Sequence, residues 1–323
     1  MKRLKYFLLY HLMLFFNQIA FCTYLEASKQ KTTDLLLLFS AYLLSGFGGY
    51  LINDFFDRKS DQLNKKPNLT YSLSKTSFYS LVILCWASAT LLLYSFSQPA
   101  ALLLQLEFLL LWLYSSFPIR LKEKGIWGVL TDTTYAHILP FLILLVSLQV
   151  YLFRLEVVLF LFSLSCLGVK DILEHQIVDR ARDLNSGVIT LATKNPKLSK
   201  KIIDVSNYSI LAVLFIGLSF FLTQTDHLIP FSAIGVSLLT LSYFEYQTIG
   251  NVFKNNGLLR LYIYFSSAVY LVYFIEIGMY FHLFLILHPY LFQLFSRLFS
   301  LFRLSANVIL YRIAKVFGIK LGD

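Results

Sequence analysis

The chain has 323 residues, of which 57% are hydrophobic, 17% aromatic and only 14% charged, with a formal net charge of +10. So apolar a composition excludes a water-soluble globular protein and requires a polytopic membrane protein. Cys22, Cys85 and Cys166 are scattered in apolar context, which excludes a disulfide framework or a thiolate metal site.

Runs of about 20 apolar residues, enough to cross about 30 Å of hydrocarbon, predict an all-α chain of nine membrane helices. They lie near residues 6–25, 34–53, 77–96, 99–117, 126–148, 154–173, 204–223, 228–246 and 259–282. The first follows Lys2, Arg3 and Lys5 like a signal peptide. However, it carries Asn17 and Gln18 and ends at Thr23-Tyr24-Leu25-Glu26 without a small-residue cleavage site, so it reads as a retained helix.

After the second run comes Asn53-Asp54-Phe55-Phe56-Asp57-Arg58-Lys59-Ser60-Asp61, an NDxxDxxxD box. If helical, Asn53, Asp57 and Asp61 recur at i, i+4 and i+8 and share a face. The fourth run closes with Tyr114-Ser115-Ser116-Phe117-Pro118-Ile119-Arg120-Leu121-Lys122. The fifth holds Asp132 and His137, ionisable groups that are expensive within a membrane and so turn inward. They are candidates for a catalytic pair, one to orient a reactant and one to remove its proton, or else a structural hydrogen-bond pair. Glu107 and Glu276 are lone intramembrane acids read as polar glue. After the sixth run, His175 precedes Asp179-Arg180-Ala181-Arg182-Asp183, with Asp179 and Asp183 again four apart. His175 reads as an outer-shell partner to a metal or as a solvated residue.

Carboxylates packed this way repel one another, and a divalent cation relieves the repulsion. Hard oxygens without a Cys or His cluster suit Mg²⁺, which completes its shell with substrate phosphates. The competing reading of each box alone is a solvated helix end. Arg58, Arg120, Lys122, Arg182 and Lys194 are the cations available to hold a leaving diphosphate; the alternative is a set of charges anchoring cytoplasmic loops.

Basic residues set the orientation. With the N-terminus in the cytoplasm, the loops bearing both boxes carry most of the Lys and Arg, and the opposite loops hold only Lys29, Lys31 and Arg154. Both boxes therefore fall on cytoplasmic loops, after the second and sixth helices, and a bacterial inner membrane is the expected setting. The positive charge is this loop bias against an anionic bilayer surface and gives no argument for nucleic acid. Residues 283–323 mix Phe, Leu and Ile with Arg297, Arg303, Arg312, Lys315 and Lys320. They read as a basic amphipathic extension or a tenth membrane segment, leaving 1–282 as the main domain. The spacing of the boxes is that of a duplicated bundle facing itself across a central cavity.

These motifs resemble the UbiA superfamily of intramembrane prenyltransferases. The run NDFFDRKSDQLNKKP from Asn53 to Pro67 is similar to that family's first box, and Asp179 to Asp183 followed by Gly187 and Thr190-Leu191 is similar to its second. The Tyr114 to Lys122 segment is similar to the family's YSxxPxRxK. The resemblance implies Mg²⁺ held by Asn53, Asp54, Asp57, Asp61, Asp179 and Asp183. It also implies that Arg58, Tyr114, Arg120, Lys122, Arg182 and Lys194 meet an isoprenyl diphosphate whose group passes to a membrane-associated acceptor. A terpene cyclase on the same scaffold would share both boxes; a non-catalytic binding protein would need neither. Where relatives place Arg-Pro, Asn68-Leu69-Thr70 stands, so one diphosphate contact passes to Lys65 or Lys66.

Overall fold

A computed structural model describes residues 32–95 and 97–224, together with Phe15, Gln18, Ile19, Phe21, Cys22 and Leu25. The described residues form helices and no strand, as hydrocarbon demands, since a helix satisfies its own backbone polar groups. They are α1 (Thr32–Leu63), α2 (Lys75–Tyr94), α3 (Gln98–Ser115), α4 (Ile126–Thr133), α5 (Leu139–Ser147), α6 (Leu155–Ser186), α7 (Leu191–Lys194) and α8 (Pro196–Gln224). A π-helical turn at Thr134–Ile138 joins α4 to α5, so Ile126–Ser147 is one continuous span. Four helices are long and apolar enough to cross a membrane among the described residues: Asp34–Leu63, Lys75–Tyr94, Gln98–Ser115 and Ile126–Ser147. The expected runs at 228–246 and 259–282, most of 6–25 and the 283–323 extension lie outside the described residues.

Local chemistry fixes the helix ends. Ser74 accepts a hydrogen bond from the Ser77 amide at the start of α2, and Ser97 accepts one from Ala100 at the start of α3. α6 stops at Gly187, whose φ of 71° only glycine adopts without cost. Leucines such as Leu84, Leu91 and Leu102 point outward, which is the surface a bilayer requires.

α1 packs along α2, α3 between α2 and α5, and α6 along α8, whereas α1 and α6 scarcely touch. The space between those two is closed by α3 and by the π turn, and becomes a cavity. Gly168 lets α6 approach that turn: a Cβ there would fall 2.9 Å from Thr133 Cγ2 and 3.0 Å from the His137 ring. Both acidic boxes correct an expectation. They are not on loops, because α1 and α6 run about three turns beyond their apolar runs and carry the boxes on their last turns.

Candidate active site

The two boxes meet at the mouth of the cavity, tied across the gap between α1 and α6. Ser60 Oγ donates to Ser186 Oγ at 2.9 Å, and Asn64 Nδ2 donates to the Arg182 carbonyl at 3.2 Å. Lys66, from the loop after α1, pairs with Asp179, which Arg182 also engages. On the facing side Asp57 accepts from Arg120 Nη2 at 3.0 Å and from Lys122 Nζ. Arg120 is buried in a left-handed backbone conformation, φ 42° and ψ 63°, a strain of roughly 1–3 kcal/mol that persists only where surroundings over-determine it. Those surroundings are Asp57, Glu123 and the Ser115 carbonyl, all of which its guanidinium contacts. Asp183 lies within electrostatic reach of Asp57, Asp179, Lys66 and Lys122; burial, with Asp179 beside it, pushes its carboxyl up to about 6.

Beneath the mouth lies a cavity of ≈ 530 Å³. Asn53, Lys66, Asp179 and His175 line its upper part, and Asp132, His137 and Asp171 its wall. Asp132 accepts from the Tyr135 hydroxyl at 2.5 Å, and the Tyr135 ring meets Tyr114 edge-on. Five residues apart on an α-helix, Asp132 and His137 would be rotated by roughly 140° from one another. The π turn between them widens the winding to i→i+5, and both reach the same cavity. His137 is 3% exposed, its Nε2 stands 3.6 Å from Asp171 Oδ2, and neither ring nitrogen makes a hydrogen bond among the described residues.

Several expected residues are placed elsewhere. Asp54 is turned one helical step away from Asn53 and accepts from the Leu69 amide at 2.8 Å; Asp61 accepts from Asn68 Nδ2 at 2.8 Å. Both carboxylates brace the loop after α1; of the carboxylates in the two boxes only Asp179 lines the cavity. Arg58, one step from Asp57, turns to the same loop, binding Thr70 and the Leu73 carbonyl and covering the Phe55 ring. Lys194 ends α7 as an exposed side chain away from the cavity. Sequence reasoning missed Asp171 and Tyr135 and read Glu107 only as glue. Asp171, His175, Asp179 and Asp183 repeat at four-residue spacing, so the same rule that joined the last two extends the second box two turns inward.

The donor set is hard: amide and carboxylate oxygens with no thiolate. Among the described residues no three His, Cys, Asp or Glu side chains stand close enough to enclose an ion by themselves. The carboxylates are instead neutralised by Lys66, Arg120, Lys122 and Arg182. A site offering one or two carboxylates from each of two helices fits Mg²⁺, which keeps the rest of its shell for water and phosphate.

Comparison with known proteins bears on the fold and the family. Similar solved structures include a UbiA homolog from Aeropyrum pernix K1, 16% identical, with a TM-score of 0.60 over 82% of this chain and 98% of that one. A UbiA homolog from Archaeoglobus fulgidus bound to DMAPP and Mg²⁺ is 15% identical, with a TM-score of 0.55 over 80% of this chain and 95% of that one. A digeranylgeranylglyceryl phosphate synthase is 17% identical, with a TM-score of 0.54 over 84% and 98%. At such identity these likenesses show a shared fold. A search of curated protein sequences finds no match. The sequence model of the UbiA prenyltransferase family matches residues 16–251, well over half of the chain, and the protein belongs to that family.

Proposed function

We propose that this integral membrane enzyme transfers an isoprenyl group from its diphosphate to a membrane-associated acceptor within the cavity between α1 and α6. The observation that carries the reading is the pairing of Lys66 with Asp179 and of Arg120 and Lys122 with Asp57 at the cavity mouth. With Arg182, which also pairs with Asp179, four cations and facing carboxylates are gathered where an anionic leaving group would sit. Asn53, Asp57, Asp179 and Asp183 are the residues that would hold Mg²⁺, an ion that similar solved structures bind together with DMAPP or GPP. When bound, the ion neutralises charge on the departing diphosphate oxygens.

The chain's own groups do the remainder. Lys66, Arg120, Lys122 and Arg182 can swing from their carboxylates onto phosphate oxygens, keeping the mouth near charge balance as the anion arrives. Asp54, Asp61 and Arg58 fix the loop that carries Lys66. Below, the Tyr114 and Tyr135 rings flank the reacting carbon with negative π faces and exclude water. Asp132 orients the acceptor through Tyr135, and His137, with Asp171 behind it, takes the proton released as the new bond forms. By the distribution of basic residues the mouth faces the cytoplasm. The test is release of inorganic diphosphate by purified protein given an isoprenyl diphosphate together with a lipid extract of the native membrane as the source of acceptor. Wild type with Mg²⁺ should release it, whereas EDTA or Asp179→Asn should lower the rate at least ~100-fold; equal rates in all three would overturn the assignment.

A further inference from the structure

The cavity has a second polar end that a diphosphate at its mouth does not reach. Ser45 lies eight residues before Asn53 on α1, and Glu107 eight before Ser115 on α3, so the floor they line is about 12 Å below the boxes. There Ser45 Oγ donates to Glu107 Oε1 at 2.5 Å, and Glu107 is 7% exposed. A carboxyl at this depth is expensive, and Ser45 supplies it one donor where two oxygens ask for several. On the walls above, Ser115 Oγ and both His137 nitrogens are buried without hydrogen bonds among the described residues. A hydrocarbon tail packed against these groups would leave every one unsatisfied, at a cost for each.

We propose that Glu107 and Ser45 form a binding subsite for a hydroxyl of the acceptor. The acceptor is therefore a compound with at least two hydrogen-bonding groups, one donating to Glu107 at the floor and one presented to His137 at the reacting end. A hydroxyl fits because it donates to the carboxyl while accepting from a neighbour. The donor's tail must leave the cavity along a different, apolar wall. The inference rests on the prenyl-transfer reading for the donor's place, and names what that reading leaves open, the chemistry of the acceptor.

The test uses the full chain in lipid nanodiscs with Mg²⁺ and a non-hydrolysable prenyl diphosphate analogue. Hydroquinone, its monomethyl ether and its dimethyl ether serve as probes, with binding read by thermal stabilisation. Hydroquinone should bind wild type at least ~10-fold more tightly than the dimethyl ether, the worth of one lost hydrogen bond at a buried site. Glu107→Leu should erase that preference, Glu107→Gln and Ser45→Ala should retain part of it, and all three should keep the stabilisation given by the analogue. Equal binding of the probes, or a preference that survives Glu107→Leu, overturns the subsite. Loss of analogue stabilisation in both Glu107 variants also overturns it, making Glu107 a structural prop. If the analogue fails to stabilise wild type, the diphosphate reading is what fails, and the subsite is then judged by hydroquinone preference in unloaded protein.

Discussion

Replacing Asp57 by Asn should harm the protein in two separable ways. Its carboxylate is the shared counter-charge of Arg120 and Lys122, which are 4% and 8% exposed. Removing one partner of a buried ion pair costs about 3–5 kcal/mol, mostly because the other charges remain buried. Asp57 is partly open to solvent at the mouth, and Asn keeps one oxygen to accept from Arg120, so the expected loss is nearer ~2 kcal/mol. At about 2–4 °C per kcal/mol, the apparent Tm in detergent should fall by roughly 4–8 °C. Because the damage is two cations left face to face, Lys122→Gln in the Asp57→Asn background should recover at least half of the loss, a coupling of at least ~1 kcal/mol. Turnover behaves differently: Asp57→Asn should lower it at least ~100-fold, and the second substitution should not restore it. The assay pairs differential scanning fluorimetry at a fixed scan rate with diphosphate release. A Tm for Asp57→Asn within ~1 °C of wild type, or additive losses in the double variant, would refute the cluster as the element that holds the mouth together.

Asp183 gives a pH signature in metal-free protein. Its folded carboxyl titrates at about 6 against an ordinary 3.8, so its contribution to stability is fully present below the ordinary value and is lost as pH rises through 6. The group is partly exposed, and screening holds this to ~1 kcal/mol or less. With EDTA, wild type should therefore lose up to ~2–4 °C of Tm relative to Asp183→Asn between pH 4.5 and 7.5; parallel curves would count against the crowding at the second box. His137→Ala or Asp132→Ala should lower prenylated-acceptor formation at least ~100-fold while stabilisation by a non-hydrolysable donor analogue persists, and unchanged product would remove both from the mechanism. For sidedness, single cysteines at Lys59 and Lys200, both exposed, in a background lacking Cys22, Cys85 and Cys166 should resist impermeant thiol reagents in intact cells and react in inverted vesicles. Labelling of both from outside would reverse the orientation.

Much of this was legible in the sequence because hydrocarbon allows few choices. The runs near 77–96, 99–117 and 126–148 became α2, α3 and the Ile126–Ser147 span within about two residues. Four-residue spacing placed Asn53 with Asp57 and Asp179 with Asp183. What periodicity could not foresee is how helices turn at a crowded site. The π turn at Thr134–Ile138 has no signature in Thr134-Tyr135-Ala136-His137-Ile138, yet it puts His137 in the same cavity as Asp132. Arg58 and Arg120 look alike in sequence, each beside a motif. Arg58, one residue on from Asp57 in α1, is turned away by roughly 100° and braces Thr70 and Leu73, whereas Arg120 reaches Asp57 from the segment after α3. Hydropathy also ended α1 and α6 too early, since charged residues score against a span although they continue its helix.

The most direct test of prenyl transfer is the identity of the product. Purified protein with Mg²⁺, an isotopically labelled isoprenyl diphosphate and a lipid extract of the native membrane should yield, by mass spectrometry, a labelled adduct whose mass is that of an extract component plus the prenyl group less one hydrogen, with inorganic diphosphate released in equal amount. A labelled cyclic hydrocarbon formed without the extract, or labelled diphosphate recovered intact, would contradict the account.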